Sequence, residues 1–176
     1  MGFNYPPIEH WLVPKNLFER TIEGVLPATQ HRRESGALWL GAREKIAKIS
    51  AVLFPQGMGV EERRYSWRVS PEVFGAVTRW AAPRSLCLLA VVHTHLPGVP
   101  SVLSWTDRAF GVRVPGVLAI VISEGGYETD YRRWGWYVFE NSDYTRFSGS
   151  EIASRVTVRS LTELEWGTAD ANGVWT

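Results

Sequence analysis

The chain has 176 residues, of which 45% are hydrophobic and 21% charged, a balance typical of a globular rather than a disordered protein. Its 19 basic and 18 acidic side chains leave a formal net charge of +1, which excludes a strong overall field for recruiting nucleic acid or acidic membrane. The single cysteine, Cys87, excludes an internal disulfide. No apolar run approaches the ~20 residues of a membrane-spanning helix. These features predict one domain in the reducing cytoplasm.

Apolar periodicity and breaker residues predict helices and strands that alternate along the chain. The first helical spacing follows Pro14, and Pro27 is predicted to end it. The next elements are predicted to be a hairpin of GALWLGA and IAKISAVLFP, a loop or irregular strand in PQGMGVEERRYSWRV, a helix PEVFGAVTRWAA between Ser70 and Pro83, a buried strand LCLLAVV, a short helix SWTDRAFGV, a buried strand GVLAIVIS and an aromatic strand RRWGWYVFEN. The last twenty or so residues are expected to form a helix or strand and a loose end. This alternation predicts a layered α/β domain.

Two of the four histidines, His93 and His95, end the apolar run LCLLAVV. In a strand, alternate side chains share a face, so both imidazoles project to one side and Thr94 to the other. Their Cα atoms would lie ~6–7 Å apart, a spacing that suits two imidazoles converging on one ion. In the alternative arrangement, one imidazole packs on the core and the other is solvated.

Three more polar residues flank predicted elements. Ser104 and Asp107 form S-x-x-D before a helical pattern, a spacing that is typical of a helix start. A helix-start role does not exclude a functional role, because a capped helix end is rigid and an aspartate that binds a ligand must be held rigidly. Glu34 directly precedes the first hairpin strand, where a glutamate is ordinarily solvated.

Taken in order, these residues resemble the motif of the JAMM (MPN+) zinc metalloprotease family, a glutamate followed by H-[ST]-H-P, a spacer and S-x-x-D. The stretches ESGALWLG and LLAVVHTH are also similar to the family's glutamate-bearing and histidine-bearing strands. The resemblance covers roughly residues 10–140 and leaves 141–176 as a C-terminal extension. It departs from the family at Leu96, which precedes Pro97 and lengthens the spacer by one residue. The fold it implies is a single MPN (cytidine-deaminase-like) domain over 1–176, with a mixed β-sheet flanked by helices.

The resemblance also implies a site. A zinc ion would be held by His93, His95 and Asp107, with water in the fourth position, the arrangement of a catalytic zinc. Glu34 would be the general base that takes a proton from that water. Ser104 would donate a hydrogen bond to the oxyanion that develops on the attacked carbonyl.

The family mostly cleaves isopeptide or peptide bonds after the C-terminal tail of ubiquitin or a ubiquitin-like protein. Its small bacterial members often accompany activating- and conjugating-like enzymes, including those of antiphage systems. The resemblance therefore implies deconjugation or precursor processing, with a ubiquitin-like protein as substrate, enzymes of the same operon as further partners, and no nucleic-acid or membrane partner. Residues 57–67 are the candidate edge for an added substrate strand, with Arg63, Arg64 and Trp67 as candidate contacts. An ordinary surface loop is the alternative there.

Other functions remain open at the level of the sequence. A non-catalytic MPN-type scaffold would use the same fold to bind partners, and a sulfur-carrier-trimming peptidase would use the same site. A zinc deaminase is disfavoured because the chain lacks H-x-E…P-C-x-x-C and has a single cysteine. A nucleic-acid-binding domain is disfavoured because the arginine pairs are scattered along the chain.

Overall fold

The computed structural model describes residues 7–160 and 164–176, in which strands and helices alternate. The helices are α1 (Leu17–Gln30), α2 (Pro71–Ala81), α3 (Trp105–Phe110) and α4 (Gly149–Arg155). The strands are β1 (His10–Pro14), β2 (Gly36–Ala42), β3 (Ile46–Pro55), β4 (Val60–Arg63), β5 (Ser66–Val69), β6 (Cys87–Thr94), β7 (Leu118–Ile122), β8 (Gly135–Glu140), β9 (Asp143–Arg146), β10 (Val156–Arg159), β11 (Glu165–Ala169) and β12 (Val174–Trp175).

The strands form one mixed sheet and a separate hairpin. The sheet order is β10-β1-β3-β2-β6-β7-β8-β9, while β4 pairs with β5 alone among the described strands. Pairing is antiparallel for β3-β2-β6 and β7-β8-β9, and parallel for β10-β1-β3 and β6-β7. Strand β6, which carries the histidines, is therefore central and has β2 on one side and β7 on the other.

Both faces of the sheet are covered, because alternate residues of each strand point to opposite sides. In β2, Ala37 and Trp39 pack on the face that α1 and α4 cover, together with the fully buried Trp11 and Trp136. Leu38 and Leu40 pack on the opposite face, with Val73, Val77 and Ala81 of α2. The predicted α/β architecture, a mixed sheet flanked by helices, is confirmed. None of the helices within residues 7–160 and 164–176 has the length and apolar character needed to span a bilayer.

Most of the predicted elements are confirmed. Strands β2 and β3 form the predicted hairpin, and α2 begins directly after Ser70. The apolar runs near the histidines and after α3 are the buried strands β6 and β7, and the aromatic stretch is β8.

The prediction that Pro27 ends the first helix is wrong, because α1 continues to Gln30. A proline has no backbone N–H and so removes one hydrogen bond from a helix. Pro27 lies in the last turns of α1, where other hydrogen bonds hold the backbone. The Thr29 hydroxyl donates to the Leu26 carbonyl at 2.9 Å, and the His31 amide donates to the Ala28 carbonyl at 2.9 Å. Buried Thr29 also packs the last turn against the protein.

Two other expectations need correction. The segment expected to be a loop or irregular strand contains the regular β4–β5 hairpin, with Val60 opposite Val69 and Arg63 opposite Ser66. The strand expected near the C-terminus is β11, which pairs in parallel with residues 51–55 of β3, but the end expected to be loose contains β12, which pairs with β11. Strands β9 to β12, within the predicted C-terminal extension, all belong to the main sheet.

Candidate metal centre

The end of β6 brings two imidazoles together. His93 lies opposite Gly36 of β2 and Val121 of β7, and the amide of His95 donates to the Ile122 carbonyl at 2.8 Å. Both histidines are buried, and their Nε2 atoms lie 3.2 Å apart. The shared face expected from strand alternation is therefore observed, and neither imidazole is solvated as in the alternative arrangement.

Thr94, on the opposite face of β6, fixes the strand end against the residues before β2. Its amide donates to the Ser35 carbonyl at 2.8 Å, and its hydroxyl accepts from the Ser35 amide at 3.0 Å. These two bonds place the end of β6 beside the segment that contains Glu34.

Helix α3 supplies the third group of the cluster. The Ser104 hydroxyl accepts from the Asp107 amide at 3.1 Å, and the Asp107 carboxylate accepts from the Ser104 amide at 2.7 Å. This capping box fixes the carboxylate, whose Oδ1 lies 3.4 Å from Nε2 of His93 and whose Oδ2 lies 3.4 Å from Nε2 of His95. The helix-start role and the ligand role of Asp107 are thus compatible in one geometry.

The spacing of these atoms fits a metal ion. Zinc bonds to histidine nitrogen and carboxylate oxygen are ~2.0–2.2 Å long, so tetrahedral ligand atoms lie about 3.3–3.5 Å apart. The two Nε2 atoms lie 3.2 Å apart, each lies 3.4 Å from a different oxygen of Asp107, and one ligand atom from each residue lies within 4.8 Å of the others. His93, His95 and Asp107 are therefore positioned to hold a metal ion.

The imidazole of His95 is oriented by the loop that follows it. Its Nδ1 lies 2.8 Å from the Pro100 carbonyl, and because a carbonyl can only accept, Nδ1 carries a proton, so Nε2 is the nitrogen left to bind a metal ion when the imidazole is neutral. In this loop Leu96 is buried, and Gly98 has a positive φ of 82° within the turn. With this loop conformation, Asp107 lies beside both histidines.

Opposing influences act on the pKa values of the cluster. Burial favours the neutral form of Asp107, but hydrogen bonds from both imidazoles and the Ser104 cap outweigh it and hold the pKa of the carboxyl well below its usual range. Burial also lowers the pKa of His95, yet hydrogen bonding to Asp107 and to the Pro100 carbonyl raises it overall. The aspartate is therefore an anion at neutral pH, as a metal ligand must be.

Glu34 lies beside this cluster without belonging to it. The residue is only 5% exposed, so it is not solvated as an isolated glutamate at a strand end ordinarily is. Burial raises the pKa of Glu34 to about 7, with the charge of His95 lowering it and that of Asp107 raising it. The Glu34 carboxyl is thus close enough to interact electrostatically with His95 and Asp107. With this pKa it can exchange a proton near neutral pH.

Ser104 lies at the exposed edge of the site. Its hydroxyl oxygen accepts the Asp107 amide, which leaves the hydroxyl proton available to an incoming acceptor. The five site residues predicted from the sequence thus occupy one region around the end of β6.

The hairpin β4–β5 closes one side of the site, a role that the sequence did not indicate. The Glu34 amide donates to the Arg63 carbonyl at 2.8 Å, and the Ser35 hydroxyl donates to the Glu62 carboxylate at 2.6 Å. The ring of Trp67 packs against Gly36. The contacts between residues 34–36 and the hairpin form only in the folded protein, so no local spacing in the sequence could have identified them.

An apolar cleft of about 510 Å³ opens beside His93 and Asp107. Strand β5 and the start of α2 form one wall, with Trp67 and Phe74. Helix α3 and the residues around it form another, with Leu103, Phe110 and Tyr144. These residues come from separate parts of the chain, and sequence reasoning did not identify the cleft.

Comparison with known proteins supports the fold. No protein-family model matches the sequence, and no curated protein matches it significantly. The solution structure of protein DSY2949 from Desulfitobacterium hafniense is similar with a TM-score of 0.61 and 13% identity, over 86% of this chain and 94% of that one. At this identity, the likeness shows a shared fold and nothing of the chemistry.

Two further solved structures are similar to a lesser degree. A protein from Archaeoglobus fulgidus, AF2198, described as a JAB1/MPN domain protein, has a TM-score of 0.47 and 15% identity, over 85% of this chain and 98% of that one. A protein from Salinibacter ruber has a TM-score of 0.49 and 17% identity, over 77% and 88%. Both TM-scores are too low to establish a common fold. The fold and geometry themselves define a mixed α/β domain with a cluster able to hold a metal ion.

Proposed function

We propose that this protein is a zinc-dependent peptidase or isopeptidase of the JAMM type that cleaves after the C-terminus of a ubiquitin-like protein. One observation carries the proposal: two imidazoles and a carboxylate offer ligand atoms within 4.8 Å of one another, beside a buried glutamate that is not one of them. Three protein ligands leave a fourth position for water or substrate, as in catalytic zinc sites. The order of the motif residues in the sequence points to the same family.

The donor set favours zinc among the common metal ions. Two imidazoles and one carboxylate suit a borderline-soft cation, whereas magnesium and calcium prefer oxygen ligands. A zinc ion bound here would supply Lewis-acid chemistry and a coordinated water with a pKa near 7.

The side chains around the cluster have complementary tasks. Glu34, with a pKa of about 7, accepts a proton from the attacking water and returns it to the leaving amine. Ser104 donates its free hydroxyl proton to the carbonyl oxygen as negative charge develops there. Asp107 stays ionised because its partners stabilise the anion.

The β4–β5 hairpin is the proposed binding edge for the substrate tail. All four residues of β5 line the cleft that leads to His93 and Asp107. Among the described strands, β5 pairs only with β4, so its other edge has backbone groups available for an added strand. In the cell, this activity would serve deconjugation or precursor processing in the cytoplasm, within a bacterial ubiquitin-like conjugation or antiphage system and beside its activating- and conjugating-like enzymes.

The test is cleavage of C-terminally extended ubiquitin-like and sulfur-carrier proteins by the zinc-loaded protein, followed by mass spectrometry. We expect one stoichiometric zinc and cleavage directly after the tail, while Glu34→Gln retains zinc and loses turnover. His93→Ala and Asp107→Ala should lose the metal as well. Wild-type turnover by Glu34→Gln would contradict the mechanism, and a protein that binds no zinc but forms a stable complex would favour the non-catalytic scaffold.

Ser104→Gly tests the catalytic role of the Ser104 hydroxyl with little effect on the helix cap. Glycine costs only a few tenths of a kcal/mol at a helix N-cap, so folding and zinc content should be preserved. We expect kcat to fall by about 10²–10³-fold, as when oxyanion-hole donors are removed elsewhere. An unchanged kcat would remove Ser104 from the mechanism.

A further inference from the structure

The cleft beside the metal cluster combines an apolar interior with one arginine among the residues that line it. Its interior is formed by Trp67, Phe74, Leu103 and Phe110, and its volume of about 510 Å³ is that of a ligand site rather than a packing gap. Arg68 of β5 also lines it. The occupant must therefore present apolar surface to the interior and face a cation at the edge.

Arg68 has no carboxylate partner among the residues that the structure describes. Its guanidinium lies 4.7 Å from the centre of the Phe110 ring and so joins β5 to α3 across the cleft. Glu61, which lies directly opposite Arg68 in the hairpin, is instead salt-bridged to Arg63 at 3.1 Å. The charge of Arg68 therefore remains available to a ligand.

A second arginine adds positive charge on the α3 side. The side chain of Arg113 donates to the carbonyls of Arg108 and Ala109, at 3.1 and 3.4 Å, and makes no salt bridge within the described residues. Arg108 is close by but is paired with Asp143 at 3.1 Å. Burial raises the pKa of the cleft residue Tyr144 to about 12, and the charges of Arg113 and Arg108 act on the same phenol in the opposite direction. The charges of these two arginines therefore act on a residue of the cleft wall, where the Asp107 carboxylate acts with the opposite sign.

We propose that the cleft binds an extended peptide tail in which large apolar side chains alternate with acidic ones. Alternate side chains of a strand added to β5 point to opposite faces, so leucine-sized groups can enter the cleft while carboxylates reach Arg68. An arginine-bearing tail would place like charges together and is rejected. This inference rests on the proposed function, because it specifies the tail that the same site would cleave.

The test compares two peptides, Ac-Ser-Xaa-Leu-Xaa-Leu-Xaa-Ser-NH2 with Xaa all glutamate or all arginine. Each is titrated into the metal-free full-length protein at low salt, and the dissociation constant is measured by calorimetry. We expect the glutamate peptide to bind at least about tenfold tighter, with a ratio that shrinks as salt screens the charges. Equal or tighter binding of the arginine peptide, or no binding of the glutamate peptide at about 1 mM, overturns the inference.

Two charge reversals identify the residue responsible. Arg68→Glu should reduce the ratio of the two dissociation constants to about one or invert it, and Arg68→Gln should give an intermediate ratio. The matched control is Arg159→Glu on β10, at the other end of the sheet, which changes the net charge equally and should preserve the ratio. Circular dichroism establishes that each variant is folded. An unchanged ratio in folded Arg68→Glu overturns the assignment.

The two proposals fail separately. Because the peptides are titrated without metal, their binding does not depend on turnover. The protein could prefer the glutamate peptide and yet cleave none of the C-terminally extended ubiquitin-like or sulfur-carrier proteins. That result would refute the proposed reaction and support the inferred tail. Cleavage of a carrier with a basic tail would support the reaction and refute the inferred tail.

Discussion

At the scale of single residues, two carboxyls of one site, buried Glu34 and half-buried Asp107, have pKa values shifted in opposite directions. Burial favours the neutral acid in both Glu34 and Asp107. Asp107 overcomes this because two imidazoles and the Ser104 cap hydrogen-bond to its anionic form. Glu34 has no comparable set of donors, so burial dominates its pKa. Such a divergence is how a protein assigns one carboxyl to binding a cation and another to moving a proton.

The raised pKa of Glu34 predicts a pH-dependent stabilisation by Glu34→Gln in the metal-free protein. The folded-state pKa of about 7 exceeds the ordinary value of 4.5, so the neutral acid's contribution to folding stability is complete below pH 4.5 and is lost as pH rises through 7. Glutamine is neutral at every pH and avoids this loss. Each pKa unit corresponds to ~1.4 kcal/mol, and partial solvent screening reduces the effect to about 1–2 kcal/mol.

Urea unfolding of both proteins at two pH values measures this effect. Near pH 8 the glutamine variant should have the higher free energy of unfolding, by about 1–2 kcal/mol, and near pH 5 the difference should shrink below about 0.5 kcal/mol. A constant difference between the two pH values would show that Glu34 is not desolvated. Equal stability at pH 8 would show the same.

At the scale of elements, the β4–β5 hairpin and β2 are joined so closely that one position tolerates only glycine. The Cβ of an alanine at Gly36 would overlap the Val92 carbonyl of β6 and lie 2.7 Å from the Trp67 ring. Gly36 is also the residue opposite His93 in the sheet. The absence of a side chain there lets the hairpin approach both the proposed base and a histidine of the candidate metal centre.

Gly36→Ala is therefore expected to destabilise the protein by about 1–3 kcal/mol, the usual cost of overpacking. It should also weaken zinc binding, because either the hairpin or the end of β6 must move. Gly149→Ala is the matched control, since a Cβ there meets no heavy atom within 4 Å, and its stability should change by no more than about 0.5 kcal/mol. Chemical denaturation and a zinc titration measure both quantities. Equal stabilities of the two variants would contradict the described hairpin contact.

At the scale of the whole molecule, the sequence predicted the features that depend on local periodicity. Alternation along β6 places His93 and His95 on one face, and the S-x-x-D spacing gives the capping box that holds Asp107. Strand alternation and the S-x-x-D helix cap both depend on residues a few positions apart, so they can be predicted without knowing the tertiary structure. The motif order then placed Glu34 near the histidines, which periodicity alone could not do.

The features that the sequence did not predict depend on residues far apart in the chain. Trp11 of β1 pairs with Val156 of β10, and Ala51 of β3 pairs with Glu165 of β11, yet no local pattern relates either pair. Parallel pairing needs no turn between its strands and so leaves no short-range signal. The burial of Glu34 under the hairpin and the apolar cleft beside Asp107 arise in the same non-local way.

The C-terminal strand is expected to stabilise the whole fold, because it completes an edge of the central sheet. Strand β1 covers residues 46–48 of β3, and β11 covers residues 51–55 of the same strand. The Ala171 amide also donates to the Met58 carbonyl at 2.9 Å, which links the C-terminal segment to the chain entering the hairpin. Removal of β11 would expose five residues of an apolar strand edge to pairing with other molecules.

Truncation after residue 160 should therefore lower Tm by about 10 °C or more and promote aggregation, since a loss of each kcal/mol shifts Tm by ~2–4 °C at this size. Scanning calorimetry and light scattering measure the two effects. Deletion of residues 174–176 alone is the control, because it leaves the β3–β11 pairing intact and should change Tm far less. If both truncated proteins had the Tm of the full chain, β11 would contribute nothing to the stability of the sheet that positions the site.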